Sequence, residues 1–314
     1  MISKDAKIYV AGHQGLVGSA LMRALQAQGY TNIITRAFTE LDLRNQADVN
    51  HFFSQEKPDY VFLAAARVGG IHANATRPAE FIYDNLAIEL NVIHAAYTYS
   101  VKKLLFLGSS CIYPRDAQQP LQEHALLTGP LEPTNAPYAI AKIAGIMLCQ
   151  SYNKQYGTNF ICAMPTNLYG PGDTFDTMQA HVIPALLAKF YDAIKNNKPE
   201  VVVWGSGKVY REFLYVDDCA QALIFLMNNY SGCQITNIGT GRDIQIKELV
   251  NTIADITGFS GKIMWDTTYP DGTPRKQLDI SGLHSLGWQA STELRDGLIK
   301  TLEWYKETQT LGIQ

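Results

Sequence analysis

The chain has 314 residues, 46% of them hydrophobic, with 26 basic and 29 acidic side chains and a net charge of −3. That supplies a sizeable core for two domains or one large one, and it gives no electrostatic case for nucleic acid or an anionic membrane surface. The longest apolar run, residues 60–66, falls far short of the ~18 residues needed to span a bilayer.

The N-terminal M-I-S-K-D-A-K reads as no secretory leader. Cys111, Cys149, Cys162, Cys219 and Cys233 show no C-x-x-C spacing. No disulfide framework or metal site is expected, and the expected location is a reducing cytoplasm.

Short β-rich runs alternate with helical ones. Residues 7–11 read as a strand, 16–28 as a helix, 32–35 as a strand, 46–54 as a helix and 60–65 as a strand. A long helix is expected over 78–99, with Pro78 tolerated in its first turn. A strand at 103–107, a helix at 137–156 and a strand at 160–164 follow. The strands are continuous apolar runs, as when helices cover both faces.

After Pro165 the rhythm loosens into the turn-rich T-N-L-Y-G-P-G-D. A helix at 182–195, a strand at 201–204 and a helix at 216–228, with Asp217 or Asp218 near its start, come next. From Gln234 onward shorter elements are expected, separated by loops such as 269–274. The repeated β-α-β order predicts an α/β fold with a doubly wound, Rossmann-type parallel sheet. Its dinucleotide-binding domain is expected over 1–170, with a return near 205–240, and a smaller C-terminal α/β substrate domain over 171–314.

K-I-Y-V-A-G-H-Q-G-L-V-G-S-A places Gly12, Gly15 and Gly18 between the first strand and helix. Such glycines let backbone approach a pyrophosphate that faces the free N–H groups of the helix start. The spacing is G-x-x-G-x-x-G rather than G-x-G-x-x-G, and a purely structural turn is the other reading. An NAD site usually has an acid at the end of the second strand. Arg36 stands there and suits the 2′-phosphate of NADP, unless it is only a solvated surface arginine. Asp42 is placed to reach the adenine edge.

P-Y-A-I-A-K sets Tyr138 and Lys142 one turn apart on a helix face. A phenol of pKa ~10 is a poor acid–base at neutral pH, and a nearby ammonium favours its phenolate. Ser109, after the strand L-L-F-L-G, is placed to bond a substrate oxygen. Y-x-x-x-K alone is also common as a surface pair.

Together these features resemble the extended short-chain dehydrogenase/reductase family, which also shows A-A-A-R-V-G-G after the strand near 60. Seven longer motifs sharpen the resemblance to its members that epimerise and reduce a 4-keto GDP-sugar. They are G-S-S-C-I-Y-P, L-E-P-T-N-A-P-Y-A-I-A-K, M-P-T-N-L-Y-G-P, H-V-I-P-A-L-L, V-V-V-W-G-S-G, R-E-F-L-Y-V-D-D and P-D-G-T-P-R-K, in that order, and the resemblance covers the chain from about residue 6 to 305.

The resemblance implies NADPH-dependent reduction at carbon 4 and epimerisation at carbons 3 and 5 of GDP-4-keto-6-deoxy-mannose. It assigns Ser109, Tyr138 and Lys142 to reduction, and Cys111 and His181 to epimerisation as base and acid. The residues alone do not order those two roles. For Cys111 the other reading is a buried filler, and for His181 a structural histidine at a helix start.

Cofactor contacts implied by the resemblance add Leu16, Val17, Leu107, Lys142, Pro165, Asn167, Leu168 and His181 to the three glycines, Arg36 and Asp42. Asn167 also reads as a turn former. Arg211 and Lys189 would meet the diphosphate, and Trp204 and Asp271 the rest of the GDP-sugar. Two positions depart from the pattern: Lys189 and Gln14 stand where arginine is expected. His72, in a loop bordering the site, is given no role. The resemblance also implies a homodimer paired through the helices at 78–99 and 137–156.

Two rivals within the family, a 4-epimerase and a 4,6-dehydratase, are disfavoured. The first has no need of the cysteine–histidine pair, and the second is expected to show carboxylates where Ser109-Ser110-Cys111 stands. A non-catalytic dinucleotide sensor would leave the Tyr138–Lys142 pair unexplained.

Overall fold

The computed structural model describes residues 1–176, 180–269 and 271–311, apart from the side chains of residues 71 and 72. The first half runs β1 (Ile8–Ala11), α1 (Leu16–Ala27), β2 (Ile33–Ile34), α2 (Gln46–Glu56), β3 (Tyr60–Leu63), α3 (Ile71–Thr76), α4 (Pro78–Thr98) and β4 (Lys103–Leu107). It continues with α5 (Ala136–Tyr156), β5 (Phe160–Pro165), β6 (Asn167–Tyr169), α6 (Val182–Lys195), β7 (Glu200–Trp204), β8 (Tyr210–Tyr215) and α7 (Val216–Asn229). The remainder is β9 (Ile235–Ile238), β10 (Asp243–Gln245), α8 (Ile246–Thr257), β11 (Lys262–Asp266), β12 (Arg275–Lys276), α9 (Ser281–Ser285) and α10 (Leu294–Leu311).

Six strands form one parallel sheet in the order β2-β1-β3-β4-β5-β9. Alternate side chains feed opposite cores. Tyr9, Val61, Leu104 and Phe106 pack under α2, α4 and α5, while Ile8, Val10, Phe62 and Leu105 pack under α1 and α7. This is the doubly wound arrangement that the continuous apolar strands predict. Strand order reverses between β1 and β3, and a ligand crevice belongs at the carboxyl ends there.

Local signals set the helix limits. The Asn45 side chain accepts from the N–H groups of Ala47 and Asp48 and caps α2. Gly157 at φ +68° closes α5 in the left-handed conformation. At α7, Asp217 pairs with Arg23 at 2.6 Å, and Asp218 accepts from the backbone of Ser291 and Thr292. The helix is thereby tied both to α1 and to the chain that follows α9.

A second body contains α6, α8, α10, the β7–β11 pair and a small sheet β10-β8-β12 to which β6 adds. Its link to the main sheet runs through Glu212, which is fully buried. The Glu212 carboxylate accepts from the N–H groups of Thr240, Gly241 and Leu278 at 2.6–2.8 Å. Its backbone carbonyl accepts from the Asn167 amide at 2.8 Å.

The structure departs from the sequence reading at several elements. β2 is only two residues long. The T-N-L-Y stretch forms β6, because it pairs with the distant β8. The elements after Gln234 are not all short: α10 spans 18 residues, and its Leu298 and Leu302 complete the third core. The segment at 71–76, read as loop, is α3.

Gly18 is sterically obligatory, since a Cβ there would lie 2.0 Å from the Gly12 carbonyl oxygen. Gly18→Ala is therefore expected to cost about 2 kcal/mol or more of stability by overpacking. Gly29→Ala, with nothing within 4 Å but φ at +80°, should cost only about 1 kcal/mol. Thermal unfolding of the two variants checks the difference.

Candidate active site

A cleft of about 650 Å³ runs along the carboxyl ends of the main sheet. At one end lies the glycine turn. Gly12 takes φ +83°, and a Cβ there would sit 2.7 Å from the Ala65 backbone. Helix α1 starts at Gly15 with no side-chain cap, so its first N–H groups are available to an anion. Leu16 and Val17 line the same wall.

Arg36 and Asp42 both line the cleft but are already engaged. Arg36 donates to Glu56 at 2.5 Å and to the Thr35 carbonyl at 2.8 Å, and its guanidinium lies over the Phe52 ring. Asp42 is gripped by Arg44, whose side-chain hydrogen bonds hold the carboxyl below its usual range. Arg44 also bonds Asp84 at 3.0 Å, and Arg67 reaches Asp84 at 2.9 Å. This charge network was not foreseen, because its members are scattered over some forty positions of sequence.

The chemical end is built on β4, the turn after it and α5. The chain leaves β4 at Leu107, and Ser109 caps a short turn over Ser110–Ile112 by accepting from the Cys111 N–H at 3.3 Å. Cys111 is buried. Burial and the nearby Cys111 and Glu89 push the Tyr138 phenol well above its usual range, opposed by the Ser109 hydroxyl. Lys142, one turn along α5, is almost fully buried and donates to the Leu107 carbonyl at 3.0 Å. Its ammonium also pairs with Glu89 of α4 at 3.0 Å.

Pro165, Asn167 and Leu168 line the opposite wall, where β5 gives way to β6. Asn167 opens strand β6 rather than a turn, donates its amide to the Glu212 carbonyl and borders the cleft. His181 is exposed at the cleft's edge as the residue before α6. The protein packed around its ring, and then the Lys276 ammonium, lower its pKa. Burial pushes the Cys111 thiol up, opposed by Lys276, Ser109 and Lys142. Both shifts favour the neutral forms, an imidazole on the cleft and a thiol on the small cavity beside it that Lys276 also lines.

Lys276 links the two ends of the site. It lies on β12 in register with Arg211 of β8 and lines both the main cleft and a small cavity behind Cys111. Lys276 closes the motif P-D-G-T-P-R-K, which by itself assigns it no role. Its signal was a cation just beyond the glycine–proline loop that carries Asp271.

Lys189, Trp204, Arg211 and Asp271 are not on the main cleft; they gather on the second body. Lys189 lies 4.5 Å over the Trp204 ring and donates to the Val202 carbonyl. Trp204 stacks on Tyr269 with centroids 4.2 Å apart. Arg211 reaches the Asp271 carbonyl at 3.3 Å, and the Asp271 carboxylate accepts from the Ser206 N–H and hydroxyl, both at 2.7 Å. Gln14 lines the cleft beside the glycine turn. The His72 side chain lies outside the described residues.

Three comparisons place this geometry among known proteins. The model of the NAD dependent epimerase/dehydratase family matches residues 8–239. The chain is 59% identical to GDP-L-fucose synthase 1 of Arabidopsis thaliana, over 97% of this chain and 94% of that one. It is 52% identical to GDP-L-fucose synthase of Escherichia coli (strain K12), over 96% and 97%. A GDP-L-fucose synthetase from Naegleria fowleri solved with NADP bound superposes with a TM-score of 0.92 at 30% identity, covering all of this chain and 96% of that one.

Lys276 lowers the pKa of His181 by charge, so Lys276→Met should raise it. An NMR pH titration of the His181 ring protons reads that rise directly.

Proposed function

The chain belongs to the NAD dependent epimerase/dehydratase family, and from that premise we propose that it makes GDP-L-fucose. The reaction is 3,5-epimerisation of GDP-4-keto-6-deoxy-D-mannose, followed by NADPH-dependent reduction of the 4-keto group. The observation that carries this reading is the Ser109–Cys111 turn, which sets a thiol beside the Tyr138–Lys142 pair, with His181 on the same cleft. Full-length likeness to enzymes named for that product supports it.

The residues fit NADP(H). The Cβ-free cradle of Gly12 and Gly18, and the uncapped start of α1 at Gly15, suit a diphosphate. Leu16 and Val17 flank it. Arg36 would take the 2′-phosphate and Asp42 the adenosine end. Leu107, Pro165, Asn167 and Leu168 would border the nicotinamide half, with His181 at its edge and Lys142 at its ribose. Bound there, the reduced nicotinamide supplies the hydride for carbon 4.

The chain's own groups do the rest. A keto group at carbon 4 acidifies the hydrogens on carbons 3 and 5. Ser109 and Tyr138 hold the carbonyl oxygen and stabilise the enolate. Cys111 and His181 exchange protons at the two carbons. Whether written as thiol and imidazole or as thiolate and imidazolium, the pair holds the same number of protons and offers one base and one acid. In the reduction Tyr138 gives its proton to the carbon-4 oxygen.

Arg211 and Lys189 would hold the diphosphate of the sugar nucleotide, with Trp204 and Asp271 on the rest of the GDP-sugar. The division of labour is a dinucleotide-binding part over 1–170, with a return near 205–240, and a substrate-binding part over 171–314. Five free cysteines suit a reducing cytoplasm.

A homodimer through α4 and α5 completes the proposal. Tyr83 and Leu90 on α4, and Ile140 and Met147 on α5, are all exposed and recur every two turns. They form an apolar stripe across two adjacent helices, of the kind a second copy covers.

Purified protein given GDP-4-keto-6-deoxy-D-mannose should oxidise NADPH faster than NADH; oxidation of neither would refute the assignment. Tyr138→Phe should lose about 10²–10⁴-fold of that rate, the usual contribution of a positioned general acid. Leu90→Glu should shift sedimentation from dimer to monomer, and a monomeric wild type would contradict the pairing.

A further inference from the structure

Beneath the reacting phenol lies an ion pair that neither the motifs nor the mechanism above requires. Glu89 of α4 and Lys142 of α5 meet at 3.0 Å, with side chains 1% and 2% exposed. The carboxylate sits against Gly145, where a Cβ would come within 2.8 Å of its oxygen. A glycine inside α5 thus makes the space for a charged group on α4. The ammonium is also fixed by the Leu107 carbonyl at 3.0 Å and by the faces of Phe106 and Tyr138.

Neither charge is stable there alone. A buried ammonium tends to lose its proton and a buried carboxylate to gain one. Removing one member of such a pair leaves the other uncompensated. The titratable groups facing Glu89 come from α5: Lys142, Tyr138 one turn before it and the free Cys149 thiol two turns after it, which lies near the free Cys162 thiol of β5. From β4, the Phe106 ring crowds the same space beside Gly145. Tyr138 in turn faces Cys111 and Ser109.

We propose that Glu89 is the positioning residue of the reductase centre, its carboxylate holding the Lys142 ammonium at the end of β4 and keeping the Lys142–Tyr138 pair loaded with protons. The proposal rests on the reduction assigned above to Tyr138. A negative charge makes it harder to remove a proton from either Lys142 or Tyr138. Its removal therefore lowers both pKa values. Tyr138 donates only while protonated, so the alkaline limit of the reduction falls with it.

The test uses Glu89→Gln and Glu89→Asp. In isotope-labelled full-length protein, without cofactor or substrate, the Lys142 signal, assigned by its loss in Lys142→Arg, is titrated with pH. In Glu89→Gln the midpoint should drop by about one pH unit or more. The alkaline limb of NADPH oxidation should move down with it. Glu89→Asp keeps the charge one methylene further away and should shift less, in the same direction; it serves alone if the glutamine variant does not fold.

A Lys142 midpoint unmoved in the folded variants would overturn the proposal, as would a uniform loss of rate with an unchanged pH profile. A wild type that fails to reduce the GDP-4-keto sugar would sink the functional reading instead, and the Lys142 titration would still judge Glu89.

Discussion

The buried Lys142 ammonium is the point on which the catalytic half of the molecule is organised. It closes off the last carbonyl of β4, at Leu107, and pairs with Glu89 across the α4–α5 contact. It lies over Phe106 and beneath Tyr138. A charge held in so little water acts on its neighbours far more strongly than one in solvent. The positions of α4, α5 and β4 relative to one another are therefore a chemical requirement as well as a packing result. Gly145 shows the cost of meeting it, since the helix that bears the two side chains proposed for the reduction gives up a side chain to admit the carboxylate.

A second constraint joins that centre to the rest of the site. Glu212 binds three backbone N–H groups from the chain after β9 and before α9, and its own carbonyl takes the Asn167 amide. Its neighbour Arg211 looks toward the Asp271 loop. One strand, β8, thus fastens the turn that lines the cleft and carries the proposed diphosphate contact. Lys276, in register beside Arg211, brings a positive charge to the thiol and the imidazole together. That charge favours the thiolate of Cys111 and the neutral form of His181. It therefore tunes both groups of the proposed epimerisation pair at once.

Much of this was legible in the chain. Continuous apolar runs marked β1, β3, β4 and β5 of the main sheet but not β9, whose I-T-N-I is half polar, and helical periodicity marked α1, α4, α5 and α7 to within a few residues. The glycine turn was legible because its geometry admits no side chain at Gly12 or Gly18. What escaped depends on long-range partners. β6, β10 and β12 are two or three residues long and become strands only by pairing with β8. Helix α10 was hidden by a polar surface face, its apolar side visible only once the third core is assembled.

The same holds within the site. Ser109, Tyr138 and Lys142 sit in compact motifs, whereas Glu89 lies inside the apolar run I-E-L-N-V-I, where a charge reads as solvent-facing until α5 is packed on it. Arg36 shows the limit from the other side. Its position on the cleft was foreseen, but not its pairing with Glu56.

In the proposed reaction one cleft performs two half-reactions with separate groups of side chains. The most direct measurement is mass-resolved analysis of the product formed by the wild-type protein from GDP-4-keto-6-deoxy-D-mannose and NADPH in heavy water. Deuterium is expected on both carbon 3 and carbon 5, with a hydrogen from the cofactor on carbon 4. A product reduced at carbon 4 but free of deuterium at the other two would contradict that reaction, leaving Cys111 and His181 without the chemistry assigned to them.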